Sequence, residues 1–471
     1  MLHSCAGKVA LMFAVLIVLS GCGKPAGQAG GPIDASRYAS LQDAIDANPG
    51  KMIFVPAGIR EISQPLRIQR DGAGIYGYGA IIQTSPGEDI LQIRNAADVR
   101  IEGVTFRRVS PEFHRSVKAV DAENCRALVL KDLKILDNRT NRAAVLLTNS
   151  DYCRVEACEV INYKTIAIDD RVKDPLYGYA FNAIDGHGIR AISCKGTQIL
   201  HNRVMEKELL PTKEIMEKYQ LGHMVKRLDK LGPLASYGVS KDGFLFIWHQ
   251  GAGIGVHGAS VNTQTQIEGN YIENAAQGID AHSDFMTLVG NHVEDCYIGL
   301  KAFHGSRGVI IANNIVRAAA KYGILLRPGS GSFEASEALG TQAARGENVE
   351  RGFIISNNII SDTGWGSESW RLASDESDPS MPAAIKLGTG PLPENPVLRD
   401  VIVQGNLVYD RGRDKVLVDG KAQTVPPRYK RAVWMDEKPV PENIIFMGNI
   451  FHAGSKGVSN RKVTPQGPAQ K

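Results

Sequence analysis

Asp280 and His282 stand two residues apart in the run Gly278-Ile279-Asp280-Ala281-His282. In an extended strand alternate residues share a face, so the carboxylate and the imidazole point one way and Ile279 and Ala281 the other. Such a pair moves protons: the imidazole titrates near neutral pH, and the carboxylate orients it or stabilises its charged form. The same phrase occurs just before, as Gly253-Ile254-Gly255-Val256-His257, and just after, as Gly299-Leu300-Lys301-Ala302-Phe303-His304. Each copy runs on to an Asn, at Asn270, Asn291 and Asn313-Asn314, in steps of 21 and 22 residues.

A fixed period of this length, built from short strand-like segments, marks a solenoid. Residues one period apart then sit about 4.8 Å apart across a parallel sheet. Aligning the units on their Gly-Ile start sends Ile254/Val256, Ile279/Ala281, Leu300/Ala302, Ile324/Leu326 and Ile385/Leu387 inward. The third position then faces out and reads Arg190, Gly255, Asp280, Lys301, Leu325, Lys386. The fifth reads Ile192, His257, His282, Phe303, Arg327, Gly388. Only 11 His exist in the chain, so two on adjacent rungs beside an Asp, two Lys and two Arg point to a site more than to a solvated face.

That mixture suits an anionic polymer lying along the sheet. Removing the proton next to a uronate carboxylate needs a base near working pH, for which His282 is first choice. It also needs positive charge on the enolate-like intermediate, which Lys301, His304 or Arg307 would supply. Asp280 would orient a neighbour or, with Asp284, bind a Ca²⁺; otherwise no cofactor is required. His257, Arg190, Arg327 and Lys386 would hold neighbouring sugars. A hydrolase would instead need two carboxylates across the scissile bond. Asp284 and the pair Asp169-Asp170 are the reserves for that chemistry.

The elements that must position these residues are legible too. Residues 38–48 read as a short amphipathic helix with Leu41, Ala44 and Ile45 on one face, a lid for the open first edge of the stack. Short runs of alternating polarity, punctuated by Gly, Asn and Asp, follow as strands. Asn202, Asn270, Asn291, Asn313, Asn357, Asn406 and Asn449 recur at equivalent points and read as a stacked amide ladder. Three stretches break the rhythm as insertions: about 205–248, of which 213–231 has helical periodicity, then 328–350 and 361–382. The last holds Trp365 and Trp370, which would stack on sugar rings beside the groove or pin their own loop.

The formal charge of +4 gives no electrostatic case for nucleic acid. Lys8 precedes an apolar run, Val9 to Leu19, too short to span a bilayer. A basic start, a short apolar stretch and small residues before a Cys read as an export signal. Gly23 to Pro32, rich in Gly, Pro and Ala, reads as a tether. The expected organisation is a signal at 1–21, a tether at 22–34, a solenoid domain at 35–455 and a disordered tail at 456–471. Cys125, Cys153 and Cys194 each precede a strand-like run and share one expected column, either as a disulfide pair with a leftover thiol or as a ladder of buried free thiols.

Leu19-Ser20-Gly21-Cys22 resembles the bacterial lipobox. That resemblance implies cleavage before Cys22, lipidation of its thiol and an outer-membrane lipoprotein facing the periplasm or the surface. The stretch from Ser40-Leu41-Gln42-Asp43-Ala44-Ile45 through Val55-Pro56-Ala57-Gly58 to Gly77-Tyr78-Gly79 is similar to the opening of pectate-lyase-like domains. Over residues 35 to 455 the chain resembles the right-handed parallel β-helix superfamily of pectate lyases, polygalacturonases and alginate epimerases. The implied fold is all-β, a single-stranded right-handed parallel β-helix with an N-terminal capping helix and a helical insertion. Gly278-Ile279-Asp280-Ala281-His282-Ser283-Asp284 is similar to the Asp-Pro-His-Asp segment of mannuronan C5-epimerases, with Ala281 in place of Pro and His304 where those enzymes place a neutralising Arg. Gly186-His187-Gly188-Ile189 is similar to a polygalacturonase motif, and Asp169-Asp170 resembles its Asp pair. The expectation is a monomeric polysaccharide lyase or C5-epimerase on an anionic polysaccharide. A polygalacturonase-like hydrolase and a non-catalytic polysaccharide-binding lipoprotein are the alternatives.

Overall fold

The computed structural model describes residues 31–84, 87–110, 116–166, 171–174, 178–181, 184–207, 224–227, 244–247, 251–257, 263–303, 305–328, 350–367, 370, 379–389, 395–411 and 415–463. Among these, three parallel sheets of thirteen, twelve and eleven strands run side by side. The chain visits them in that order, once per coil. One coil is Gln266–Glu268, Tyr271–Glu273 and Gln277–Ala281; the next is Thr287–Val289, His292–Glu294 and Ile298–Phe303. Strands this short cannot stand alone, so each is held by its neighbours one coil away. Ile254, Ile279, Leu300, Ile324, Ile385 and Val433 stack as one fully buried column of the core.

The thirteen-stranded sheet turns into the twelve-stranded one through two residues. The first is left-handed, as at Gly269 (φ 64°) and Gly290 (φ 66°). The second is the ladder Asn. Asn291 Nδ2 donates to Asn314 Oδ1 at 3.0 Å, and Asn314 Nδ2 to Asn358 Oδ1 at 2.9 Å. The ladder therefore runs Asn202, Asn270, Asn291, Asn314, Asn358, Asn406, Asn449. Asn313 and Asn357, expected in it, instead take the left-handed position at φ 56° and 55°. In each Asn-Asn pair the first residue tolerates that backbone and only the second points inward.

The Gly of the repeated phrase breaks the alternation. A Cβ added at Gly188, Gly253, Gly278, Gly299 or Gly323 would fall on Val204, Ile272, Val293, Val316 or Ile360 respectively, at the corner of the core. Gly and the following apolar residue both face inward, and the residue before the Gly returns to the outer face.

The cap forms as expected. Leu41–Ala47 is helical, Ser40 accepts from Asp43 N at 3.0 Å, and Leu41, Ala44 and Ile45 are buried over the first coil. The domain starts slightly before residue 35, since Ile33–Asp34 pairs with Met52–Phe54. Order also continues past 455. Met435 N donates to Asn460 Oδ1 at 2.9 Å, and Val458 and Val463 pack on the core, so the expected tail holds at most beyond 463.

The longer insertion is at least partly a hairpin. Met224–Arg227, inside the expected helix, pairs antiparallel with Phe244–Ile247. Apolar residues in a short run satisfy a strand as readily as a helix. Further hairpins join Thr165–Ile166 to Ile184–Asp185, Arg171–Asp174 to Gly178–Phe181 and Lys415–Val418 to Lys421–Thr424. All four leave between the twelve- and eleven-stranded sheets, so these hairpins start from one edge of the eleven-stranded sheet, whereas the 328–350 stretch leaves from its other edge, between Tyr322–Arg327 and Arg351–Ser356.

The five cysteines among the described residues are free and buried. Cys125 N donates to Ser150 Oγ, and Ser150 N to Cys194 Sγ, so Ser150 separates those two cysteines by a rung. Two rungs span roughly 10 Å, beyond disulfide reach. Cys153 lies in a different column, one coil after Leu128, and burial pushes its thiol up to about 12.

Candidate active site

The register places the outward column as read. Arg190 pairs with Gly255, Gly255 with Asp280, Asp280 with Lys301, Lys301 with Leu325 and Leu325 with Lys386. All lie on the eleven-stranded sheet. Asp280 and Lys301 are buried, and His257 and His282 half-buried.

Asp280 is the hub. Its Oδ1 lies 3.0 Å from His282 Nε2 and 3.1 Å from Lys301 Nζ. Its Oδ2 lies 3.3 Å from His257 Nε2. Lys301 Nζ also donates to Gln277 Oε1 at 2.8 Å. Burial works against the Asp280 charge, but Lys301, His282 and the hydrogen bonds from both imidazoles outweigh it and hold the carboxyl well below the usual range.

The tautomers follow from the donors. Arg190 Nε donates to His257 Nδ1 at 2.9 Å, so that nitrogen carries no proton and Nε2–H faces Asp280. Burial pushes the His257 pKa down to about 4, keeping the ring neutral. An ionised Asp280 can only accept, so His282 Nε2 also carries its proton, and Nδ1 is its basic nitrogen. Burial lowers His282 as well, partly offset by Asp280. His187 joins the row: its ring lies 5.2 Å from that of His257 edge-on, and its Nδ1 accepts from Ala252 N at 3.2 Å.

His257, Asp280 and His282 could offer three ligand atoms within 4.8 Å of one another. The donor set does not suit a metal, however. A His bound through Nε2 must carry its proton on Nδ1 and give it to an acceptor. Here Nδ1 of His257 already accepts from a guanidinium, and Lys301 sits on the carboxylate.

A family model for the right-handed β-helix region matches residues 240–370. The chain is a right-handed parallel β-helix. The A-module of the Azotobacter vinelandii mannuronan C-5 epimerase AlgE4 superposes with TM-score 0.51 at 9% identity, over 92% of this chain and 100% of that one. The catalytic unit of a thermostable GH87 α-1,3-glucanase from Streptomyces thermodiastaticus superposes with TM-score 0.50 at 14% identity, over 93% and 68%. No curated protein matches this sequence.

Other expected site residues fall elsewhere on the β-helix. Arg307 opens a strand of the thirteen-stranded sheet, and its Nη2 lies 2.7 Å from Asp284 Oδ2. Each fills the other, so Arg307 is not beside Asp280 and Asp284 is no calcium partner for it. Arg307 belongs to the next sheet, not to the strand of Lys301. Arg327 is half-buried in the fifth column, paired with Phe303. Lys386 lies three rungs from Asp280. Trp370 is buried; its Nε1 donates to Asn274 Oδ1 at 3.0 Å, and Lys164 Nζ sits 4.7 Å from its ring. It anchors its own loop and cannot stack on a sugar. Trp365 is half-buried, donates to Asp410 Oδ2 at 2.8 Å and has Arg428 and Arg411 against its ring. His304, Asp169, Asp170 and Cys22 lie outside the described residues.

Sequence reasoning missed Gln277, and it noted His187 only through the resemblance of its motif to a polygalacturonase, not as part of this row. Strict alternation assigns the residue before the Gly to the interior. The Gly that breaks the alternation was itself the signal.

Proposed function

We propose that this β-helix binds an anionic, uronate-containing polysaccharide along its eleven-stranded sheet and removes a uronate C5 proton, as a lyase or a C5-epimerase. The arrangement that carries the reading is Asp280 between His282 and Lys301. Neutral His282 takes the proton on Nδ1. Asp280 then faces a new imidazolium and stabilises it. Lys301 and Arg327 supply positive charge where the enolate-like intermediate gathers negative charge. Re-protonation of C5 from the other face by solvent gives epimerisation; breaking the bond from C4 to the glycosidic oxygen, which takes up the proton held by His282 while the C4–C5 double bond forms, gives elimination. Fold similarity to an epimerase module supports the architecture; the chemistry rests on the residues.

Hydrolysis is the weaker reading. Among the described residues the two carboxylates nearest this chemistry are both engaged, Asp280 by Lys301 and Asp284 by Arg307. A hydrolase needs one to stay protonated and the other to reach the sugar.

The test is product analysis on a panel of polyuronates with wild type, His282→Gln and Lys301→Met. Unsaturated or epimerised uronate from wild type, lost in both variants, is expected. A fully active His282→Gln would sink the assignment. We further propose export and lipid attachment through Cys22. Acyl labelling of wild type, absent in Cys22→Ala, is expected, and an unlabelled wild type would refute it.

A further inference from the structure

The outward column does not end at Lys386. Lys386 pairs with Trp434 on the next coil, and Leu387 with Met435. Asp436 therefore continues the fifth column beyond Gly388. A Cβ on Gly388 would collide with the Asp436 carboxylate, so the missing side chain is what lets Asp436 lean across the rung. There its Oδ1 lies 3.6 Å from Lys386 Nζ, and its Oδ2 accepts from Thr389 N at 3.1 Å. Lys386 Nζ also donates to Ser380 Oγ at 2.9 Å. Trp434 packs on the small apolar cluster containing Tyr322 and Leu325 but stays half-exposed.

This is a second polar group on the same face, with an aromatic beside it. Lys386 and Trp434 are three and four rungs from Asp280, roughly 14 and 19 Å along the sheet. The stretch between them is not equally open. Leu325 is buried, while Arg327 on the same rung is half-exposed, so a polymer would pass along the fifth column.

Resting on the function proposed above, we infer that Trp434, Lys386 and Asp436 form a distal sugar subsite. The indole supplies an apolar face for a pyranose ring, Lys386 a cation for its carboxylate and Asp436 an acceptor for its hydroxyls. Rung spacing is close to the advance of one sugar in an extended glycan, so the subsite lies several sugars from the reacting one. Its consequence is a preference for long chains that the reaction centre alone would not create.

The test uses saturated oligomannuronates and oligogalacturonates from dimer to octamer, with binding read by tryptophan fluorescence and calorimetry and no need for turnover. Wild type is expected to bind the octamer at least about tenfold tighter than the trimer. Trp434→Ala should lose that gain and leave trimer affinity unchanged, Lys386→Met should weaken octamer binding, and Trp434→Phe should abolish most of the octamer-induced fluorescence change. Thermal melts identify any variant that fails to fold; the Phe variant, which keeps the packing, then carries the test. Equal wild-type affinity for trimer and octamer overturns the subsite alone, as does octamer binding unaffected in the variants. No binding at any length overturns both the subsite and the anionic-polymer reading.

Discussion

Arg190 Nε donates to His257 Nδ1 at 2.9 Å across the rung of Gly255, and that bond decides which nitrogen of His257 faces Asp280. A side chain at Gly255 would meet His187 Nδ1, so the gap in the column is what admits the imidazoles. The row thus divides its work: His257 is a fixed neutral donor, and His282 is the ring left to accept a proton.

Arg190→Met should free His257 Nδ1 to take the proton. Nitrogen chemical shifts of the imidazoles are expected to show the Nε2–H tautomer of His257 in wild type and a mixture in the variant. Activity should fall by about tenfold or more as Asp280 loses a fixed partner. An unchanged His257 spectrum would contradict the assignment.

The buried imidazoles make folding acid-sensitive. An unfolded His titrates near 6.5, whereas burial holds folded His257 at about 4 and also lowers His282 and His187. Between those values the unfolded chain binds protons that the folded chain does not, so stability falls as pH drops from about 6.5 towards 4. His257→Gln should flatten that slope, by roughly 3 kcal/mol at most for one group. Urea melts at pH 7, 6, 5 and 4.5 measure it; a wild type equally stable at pH 7 and 4.5 would contradict it.

Asp280→Asn leaves Lys301 buried beside a neutral amide. A stability loss of roughly 3 kcal/mol and an activity loss of at least about a hundredfold are expected. Denaturant melts and initial rates give the two numbers separately. A variant with wild-type stability would mean that Lys301 does not depend on Asp280.

The corrected amide ladder makes a paired prediction. Asn314 accepts from Asn291 and donates to Asn358 Oδ1 and Leu288 O, so Asn314→Ala should cost about 2–4 kcal/mol. Asn313→Gly keeps the left-handed turn at φ 56° and should cost little. The opposite order would restore Asn313 to the ladder.

Most of the site sheet was readable because a constant period fixes register: Arg190, Asp280, Lys301 and Lys386 fall in one column, as aligned. What was missed has local causes. Asn313-Asn314 offers two identical letters for one inward position. His187 and Gln277 lie before a Gly whose core-facing backbone resets the alternation. Trp370 is fixed by Asn274 and Lys164, contacts 96 residues away in the first case that no local pattern reveals. Arg307 lies past the end of the Lys301 strand, at the start of a strand of the thirteen-stranded sheet.

The central claim is that His282 removes a uronate C5 proton. Proton NMR in D₂O of polyuronates incubated with residues 31–471 tests it most directly, with His282→Gln alongside. The account predicts deuterium at C5 or unsaturated uronate signals with wild type and neither with the variant. New saturated reducing ends without C5 exchange would contradict it, as would C5 exchange undiminished in His282→Gln.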